Sequence, residues 1–197
     1  MPKLSDEVQA VLCEWAAVRE VARICAADGP LDAALESLCN ELRRAARRRS
    51  QVLAKWHGTP WREGRSIGFT LSACEQWRCY AEPLGVFYWC PNPADPERLD
   101  DNPYVSFRVP GTVPNAELLR EKVGQHVPMG FTKHYPGGDP DPADVFWKYI
   151  AIDDPRFIGG SEWKAETFLA VALEAMEQAA SVRPIIDEFL GGTPAER

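Results

Sequence analysis

Over the first 57 residues, apolar side chains recur in steps of four and three, the spacing of helices that pack along one stripe. One stripe runs from Leu4 to Cys25, and a second runs from Leu31 to Trp56. Between them, Asp28-Gly29-Pro30 combines a glycine suited to a helix C-terminus with a proline that cannot continue the helix. The pattern predicts an antiparallel helical hairpin over residues 1–57, with arms of about 25 residues.

After residue 58 the period of the apolar positions changes to two, which is typical of strands. Alternation at 67–72, 76–81 and 104–109, together with a continuous apolar run at 86–90, predicts four short strands separated by turn residues. Strands in series with tight turns favour an antiparallel β-meander that has one face on the core.

The apolar run at 145–152 predicts a fifth strand, preceded by one helix and followed by another. The second of these helices is long, begins after Ser161 and is interrupted by Pro184. The expected fold class is therefore α+β: a helical hairpin (1–57), a meander of four to five strands and a long C-terminal helix. We expect the hairpin and the sheet domain (58–197) to form one compact unit.

The formal net charge of −7 is unevenly distributed along the chain. Between Arg43 and Arg65 eight basic residues face one acidic residue, a local charge of +7, and the remainder carries −14. Such a segment either pairs with carboxylates of the same molecule or steers an anionic partner to one end. The basic residues are Arg43, Arg44, Arg47, Arg48, Arg49, Lys55, Arg62 and Arg65.

Arg49 falls on an apolar position of the second stripe, between Ala45 and Val52. Because burying an unpaired guanidinium is costly, we expect the second helix to leave its neighbour before this point. The basic end would then project from the hairpin, and Arg47, Arg48 and Arg49 become candidates for contact with a partner.

Aromatic residues are concentrated from residue 56 onward, and most of them are expected in the core. Strand alternation places Tyr80, Tyr104 and either Tyr88 or Trp89 on the face away from that core. Exposed aromatic rings beside arginines are typical of stacking platforms for single strands and of protein interfaces. Tyr80 and Tyr104 therefore join the arginines as candidate partner-binding residues.

Six cysteines lie at irregular spacing, and none belongs to a C-x-x-C motif. Cys74, Cys79 and Cys90 with His57 could form a zinc site, but paired structural ligands are usually two to four residues apart. We expect reduced thiols, no metal and no cofactor. The start of the chain has no signal-peptide pattern, and no apolar run approaches the roughly 18 residues of a membrane helix, so a cytoplasmic protein is expected.

The element order resembles that of the PD-(D/E)XK nuclease core, in which an Asp and an acidic-x-Lys pair on adjacent strands hold Mg²⁺. Here the second and third strands offer only Arg78 and Glu82 as charged side chains. The one acidic-x-Lys match, Glu162-Trp163-Lys164, follows Asp153 and Asp154 and falls at a predicted helix start. A metal-dependent nuclease, inactive in this chain, is therefore one alternative.

The favoured hypothesis is a non-enzymatic binding or accessory protein, of inhibitor, immunity or defence-accessory type, that contacts a protein partner. Its interface would combine the basic helix end with the aromatic sheet face. A nucleic-acid-binding accessory factor that uses Arg43–Arg65 is the second alternative. A homodimer is compatible with all three hypotheses, because Leu12, Val21 and Ile24 lie outside the first apolar stripe. They need a covering layer, which is either the C-terminal helix or another subunit.

Overall fold

The computed structural model describes residues 4–25, 30–92, 102–133, 143–159 and 162–191. The helices are α1 (Asp6–Cys13), α2 (Trp15–Cys25), α3 (Pro30–Arg49), α4 (Glu75–Arg78), α5 (Ala116–Gly124), α6 (Ala165–Ala180) and α7 (Arg183–Phe189). The strands are β1 (His57–Glu63), β2 (Ser66–Ser72), β3 (Gly85–Cys90), β4 (Tyr104–Arg108), β5 (Thr132–Lys133), β6 (Asp144–Tyr149), β7 (Ile158–Gly159) and β8 (Glu162–Trp163).

The main sheet is antiparallel and has the strand order β1-β2-β3-β4-β6-β5. From β1 to β4 each strand pairs with the next one along the chain, and Gly64, with a φ of 54°, lies in the tight turn between β1 and β2. The predicted α+β class and the antiparallel meander are confirmed. In this order β1 forms one edge of the sheet.

The two faces of the sheet bury different sets of side chains, because successive residues of a strand point to opposite sides. One face carries residues such as Phe69, Tyr88 and Phe107 into the main core, where α3 packs over β2 and α6 packs over β3 and β4. The opposite face carries a smaller buried cluster of Phe87, Trp89, Tyr104 and Trp147.

The N-terminal region does not clearly form the predicted two-arm hairpin. α1 begins after Ser5, whose Oγ accepts a hydrogen bond from the backbone N–H of Val8 at 3.3 Å, and it ends before Glu14, which separates it from α2. α1 packs against both α3 and β8. The predicted turn between the arms falls at 26–29, outside the described residues.

The three residues that suggested a covering layer have different surroundings. Leu12 is fully buried in the main core of this chain. Val21 is 54% exposed, and the side chain of Ile24 lies outside the described part of the molecule.

The strands differ from the prediction at residues 76–81 and at β1. The strand predicted at 76–81 is wrong: residues 75–78 form the short helix α4, and Trp77 is buried among aromatic rings. β1 was not predicted, because Gly58 and Pro60 are unfavourable in most strands. Proline is tolerated at a sheet edge, and β1 lies at such an edge.

The C-terminal helix is present and is broken near Pro184 as predicted, giving α6 and α7. Its start differs from the prediction, because Glu162 and Trp163 pair with Ile158 and Gly159 in a small two-stranded sheet. Among the described residues, no helix is long and apolar enough to cross a bilayer.

Candidate functional site

A groove runs between α3 and the β1 edge of the sheet, and we call it the α3–β1 groove. It consists of two adjoining cavities that share Asn40, Arg43 and Pro60. The first, the basic half, has a volume of about 440 Å³ and is lined by Asn40, Arg43, Arg44, Arg47, Gly58, Pro60 and Leu71. The second, the apolar half, has a volume of about 310 Å³ and is lined by Glu36, Cys39, Asn40, Arg43, Pro60, Trp61, Arg62, Ile67, Gly68 and Phe69.

The helix supplies the charge of the basic half. Asn40, Arg43, Arg44 and Arg47 follow one another at i, i+3, i+4 and i+7, so they lie on one face of α3. The strand supplies the opposite wall, where Gly58 has no side chain. A Cβ at that position would lie 3.5 Å from Cδ of Arg43, an ordinary van der Waals distance, so the arginine stem lies close to the strand.

The arginines of this half differ in their partners. Arg44 forms an ion pair with Glu41 one turn earlier on α3. Arg43 donates a hydrogen bond from Nη2 to the neutral side chain of Asn40 at 2.9 Å. Within the described part of the chain, neither Arg43 nor Arg47 contacts a carboxylate. Two positive charges of the groove are therefore not neutralised by that part of the chain.

The apolar half has a floor of buried side chains. Ile67 and Phe69 of β2 are 6% and 1% exposed, and Cys39 of α3 lies beside them. Burial raises the pKa of the Cys39 thiol well above its usual range, so the thiol stays neutral at physiological pH. The ion pair between Glu36 and Arg62 also lines this half.

The other basic residues of the segment lie outside the basic half. Arg48 is exposed and lines neither cavity, and within the described residues it has no carboxylate partner. Arg65 lies 3.6 Å from Asp32, and Lys55 is exposed. Arg62 and Arg65 therefore lie beside carboxylates of the same molecule, whereas Arg48 does not within the described residues.

Arg49 requires a correction. It lies at the end of α3 as predicted, but its guanidinium donates two hydrogen bonds to Glu166 in the first turn of α6. Basic residues in the last turn also interact favourably with the helix dipole, which gives this helix end a structural role as well.

The expected exposed aromatic face is also corrected. Tyr104 does lie on the face away from the main core, but it is 5% exposed, and its hydroxyl donates a hydrogen bond to Asp144 at 2.9 Å. Tyr88 faces the main core, and Trp89 belongs to the second cluster. Tyr80 lies after α4, is not on a strand, and is half-buried against the main core.

The residues of the nuclease alternative do not come together as a metal site. Asp154 accepts hydrogen bonds from the backbone and side chain of Arg156, which hold the pKa of its carboxyl below the usual range. Glu162 is exposed on β8, and Cys79 of the zinc alternative is exposed as well. Across the described residues, no group of three or more histidine, cysteine or carboxylate side chains could hold a metal ion.

Sequence reasoning found the arginines of the groove but not their surroundings. The spacing of Asn40, Arg43, Arg44 and Arg47 already indicates one helical face. Nothing in the sequence placed β1 opposite that face, because this strand was not predicted. Comparison with protein-family models, with curated proteins and with solved structures finds no match to this chain.

Proposed function

We propose that the chain is a non-enzymatic binding protein whose α3–β1 groove binds an acidic segment of a protein partner. The observation that carries this proposal is the pair Arg43 and Arg47. Both line one cavity, and within the described residues neither has a carboxylate partner. Four residues apart on a helix, they are separated by about 6 Å along the axis, so one short acidic segment can reach both.

The lining residues favour binding over chemistry. Among them, only Glu36 and Cys39 belong to types that commonly serve as base or nucleophile. Glu36 is held in an ion pair with Arg62, and the buried Cys39 thiol stays protonated because its pKa is raised. A groove with paired or neutral groups and two uncompensated arginines suits recognition of an anion.

A protein segment fits better than a nucleic acid, because the basic surface is short and has carboxylates close by. Glu36 lines the apolar half, Glu41 lies on α3 next to the basic half, and the chain outside 43–65 carries a charge of −14. A long polyanion that extends past the arginines meets this negative charge, whereas a short acidic segment does not. At physiological ionic strength, charges more than about 8 Å away are largely screened, so the local arginines dominate for a short ligand.

A nucleic-acid-binding accessory factor remains the second candidate, and Arg48 is the observation that favours it. This residue is exposed and, in the described chain, has no carboxylate partner. It therefore extends the basic surface of Arg43 and Arg47 beyond the groove.

Salt dependence separates the two candidates. The experiment is fluorescence anisotropy of the full chain with three labelled probes: an eight-residue peptide of alternating Glu and Ser, single-stranded DNA and double-stranded RNA. The proposal expects binding of the acidic peptide and weaker binding of both nucleic acids at about 150 mM salt. Tighter binding of a nucleic acid, with an affinity that falls steeply as salt is raised, would favour the second candidate instead.

A further inference from the structure

The α3–β1 groove has two chemically different halves in line along α3. Cys39, Arg43 and Arg47 lie four residues apart, so each step along the helix axis is about 6 Å. Cys39 marks the apolar half, Arg43 belongs to both halves, and Arg47 marks the basic half. A ligand that fills the groove therefore meets an apolar site first and then two positive charges in turn.

The apolar half has room for a side chain of the ligand. Its volume of about 310 Å³ lies at the small end of ligand pockets, which range from roughly 300 to 1,000 Å³, so a side chain can enter it. Its floor of Ile67 and Phe69 is apolar, and its thiol is neutral. The cavity is also lined by Asn40 and by the Glu36–Arg62 ion pair, so the surface that suits an apolar side chain is this floor.

The period of an extended peptide matches the spacing of the groove. Residues i and i+2 of an extended chain point to the same side and lie about 6.6 Å apart, since each residue advances about 3.3 Å. Three alternate side chains of such a peptide can therefore lie at the levels of Cys39, Arg43 and Arg47. The first would be apolar and the next two would be carboxylates.

Addition of the peptide to the edge of β1 as a further strand is less favourable than binding in the groove. Pro60 lies in the middle of β1 and has no N–H to donate. Proline within an edge strand is one of the features that hinder pairing with another chain. Side-chain recognition therefore has to supply the affinity.

We infer that the partner segment is an extended acidic peptide with the pattern apolar-x-acidic-x-acidic, or its reverse, whose apolar side chain occupies the half of the groove floored by Ile67 and Phe69. This inference rests on the proposed function and adds a specific sequence pattern to it. The carboxylates bind Arg43 and Arg47, and the apolar residue distinguishes this peptide from other acidic segments.

The test compares four labelled peptides by fluorescence anisotropy on the full chain. The first contains Leu-Ser-Glu-Ser-Glu, and the second contains the reverse order. In the third, Ser replaces Leu. The fourth has the composition of the first with the two Glu adjacent. We expect the first or the second peptide to bind tightest, and the third to bind about tenfold more weakly or worse. The fourth should also bind more weakly, because adjacent side chains point to opposite sides.

The substitution C39L adds an internal check, since a larger side chain fills part of the apolar half. It should reduce the preference for leucine, measured as the ratio of the affinities for the first and the third peptide. The four-peptide comparison on the unmodified chain needs no variant to fold. Equal affinity for the first three peptides would overturn the inference and leave the proposed function standing, whereas no binding of any acidic peptide would overturn both.

Discussion

Arg49 at the end of α3 donates hydrogen bonds from both terminal nitrogens to the two carboxylate oxygens of Glu166, with Nη2 lying 3.1 Å from Oε1. Glu166 belongs to the first turn of α6, so the pair joins the two helices that cover the main core. These hydrogen bonds raise the pKa of Arg49 and lower the pKa of Glu166. The pair therefore connects the end of α3, two residues after Arg47, to α6.

The Arg49–Glu166 pair should make a small, pH-dependent contribution to stability. Because the folded-state pKa of Glu166 is lowered, the contribution is present above the ordinary carboxyl pKa and is lost as the pH falls through the lowered value. Both side chains are 40% exposed, so R49A should reduce the free energy of unfolding by no more than about 1 kcal/mol at pH 7. Urea denaturation at pH 7 and in acid measures this, with R48A as the matched control. An equal effect of R49A at both pH values would contradict the account.

Any side chain at Gly68 should destabilise the sheet. A Cβ at this position would lie 2.3 Å from the backbone oxygen of Tyr88 on the neighbouring strand, and that oxygen cannot move without disturbing the sheet. We expect G68A to reduce the free energy of unfolding by roughly 1–3 kcal/mol. G111A is the control, because a Cβ there meets only the end of the Arg120 side chain at 3.8 Å. Equal melting temperatures for the two variants would show that the sheet adjusts easily.

Substitution of the buried Asp144, on the sheet face opposite the main core, should destabilise the protein strongly. It accepts hydrogen bonds from Tyr104 and from Ser106, the latter at 2.6 Å, and Nε of Arg108 lies 3.6 Å away. D144A takes the carboxylate acceptor away from both hydroxyls and removes a buried charge partner of Arg108, so it should cost about 3–5 kcal/mol of stability. The half-exposed Asp153 is the control, and D153A should change stability by less than about 0.5 kcal/mol. Chemical denaturation of the two variants measures the difference, and similar midpoints would contradict the described network.

The thiols should differ strongly in reactivity. Burial raises the pKa of Cys90 to about 12 and that of Cys39 well above its usual range, whereas Cys79 is exposed. Because the thiolate is the reactive form, N-ethylmaleimide should modify Cys79 rapidly in the folded protein and leave Cys39 and Cys90 unmodified until denaturant is added. Peptide mapping by mass spectrometry after timed labelling measures this. Rapid native labelling of Cys90 would contradict its placement in the core.

The elements that could be predicted are those whose burial is periodic. The apolar alternation of β2 and β4 indicates strands because one side of each faces the main core, and the period of α6 reflects its contact with β3 and β4. β1 could not be predicted, because Pro60 is acceptable only at an edge, and whether a strand lies at an edge depends on the whole sheet. The alternation at 76–81 was misleading because a four-residue helix also buries Trp77.

The candidate site was predictable only on its helical side. By their spacing alone, four residues share one face of a helix: Asn40, Arg43, Arg44 and Arg47. The contact of Arg49 with Glu166 joins residues 117 positions apart, so it depends on how α3 and α6 pack. The burial of Tyr104 has the same origin, because alternation gives the face of a strand but not what covers that face.

The most direct test of the central claim is a matched pair of charge reversals on α3. R47E and R48E change the same charge at neighbouring exposed positions, but only Arg47 lines the α3–β1 groove. The measurement is the dissociation constant of the alternating Glu–Ser peptide, by fluorescence anisotropy, for the unmodified chain and both variants. We expect R47E to weaken binding by about tenfold or more and R48E to change it by less than about threefold. Equal losses in the two variants would mean that general positive charge, and not the groove, holds the peptide, and would contradict the account.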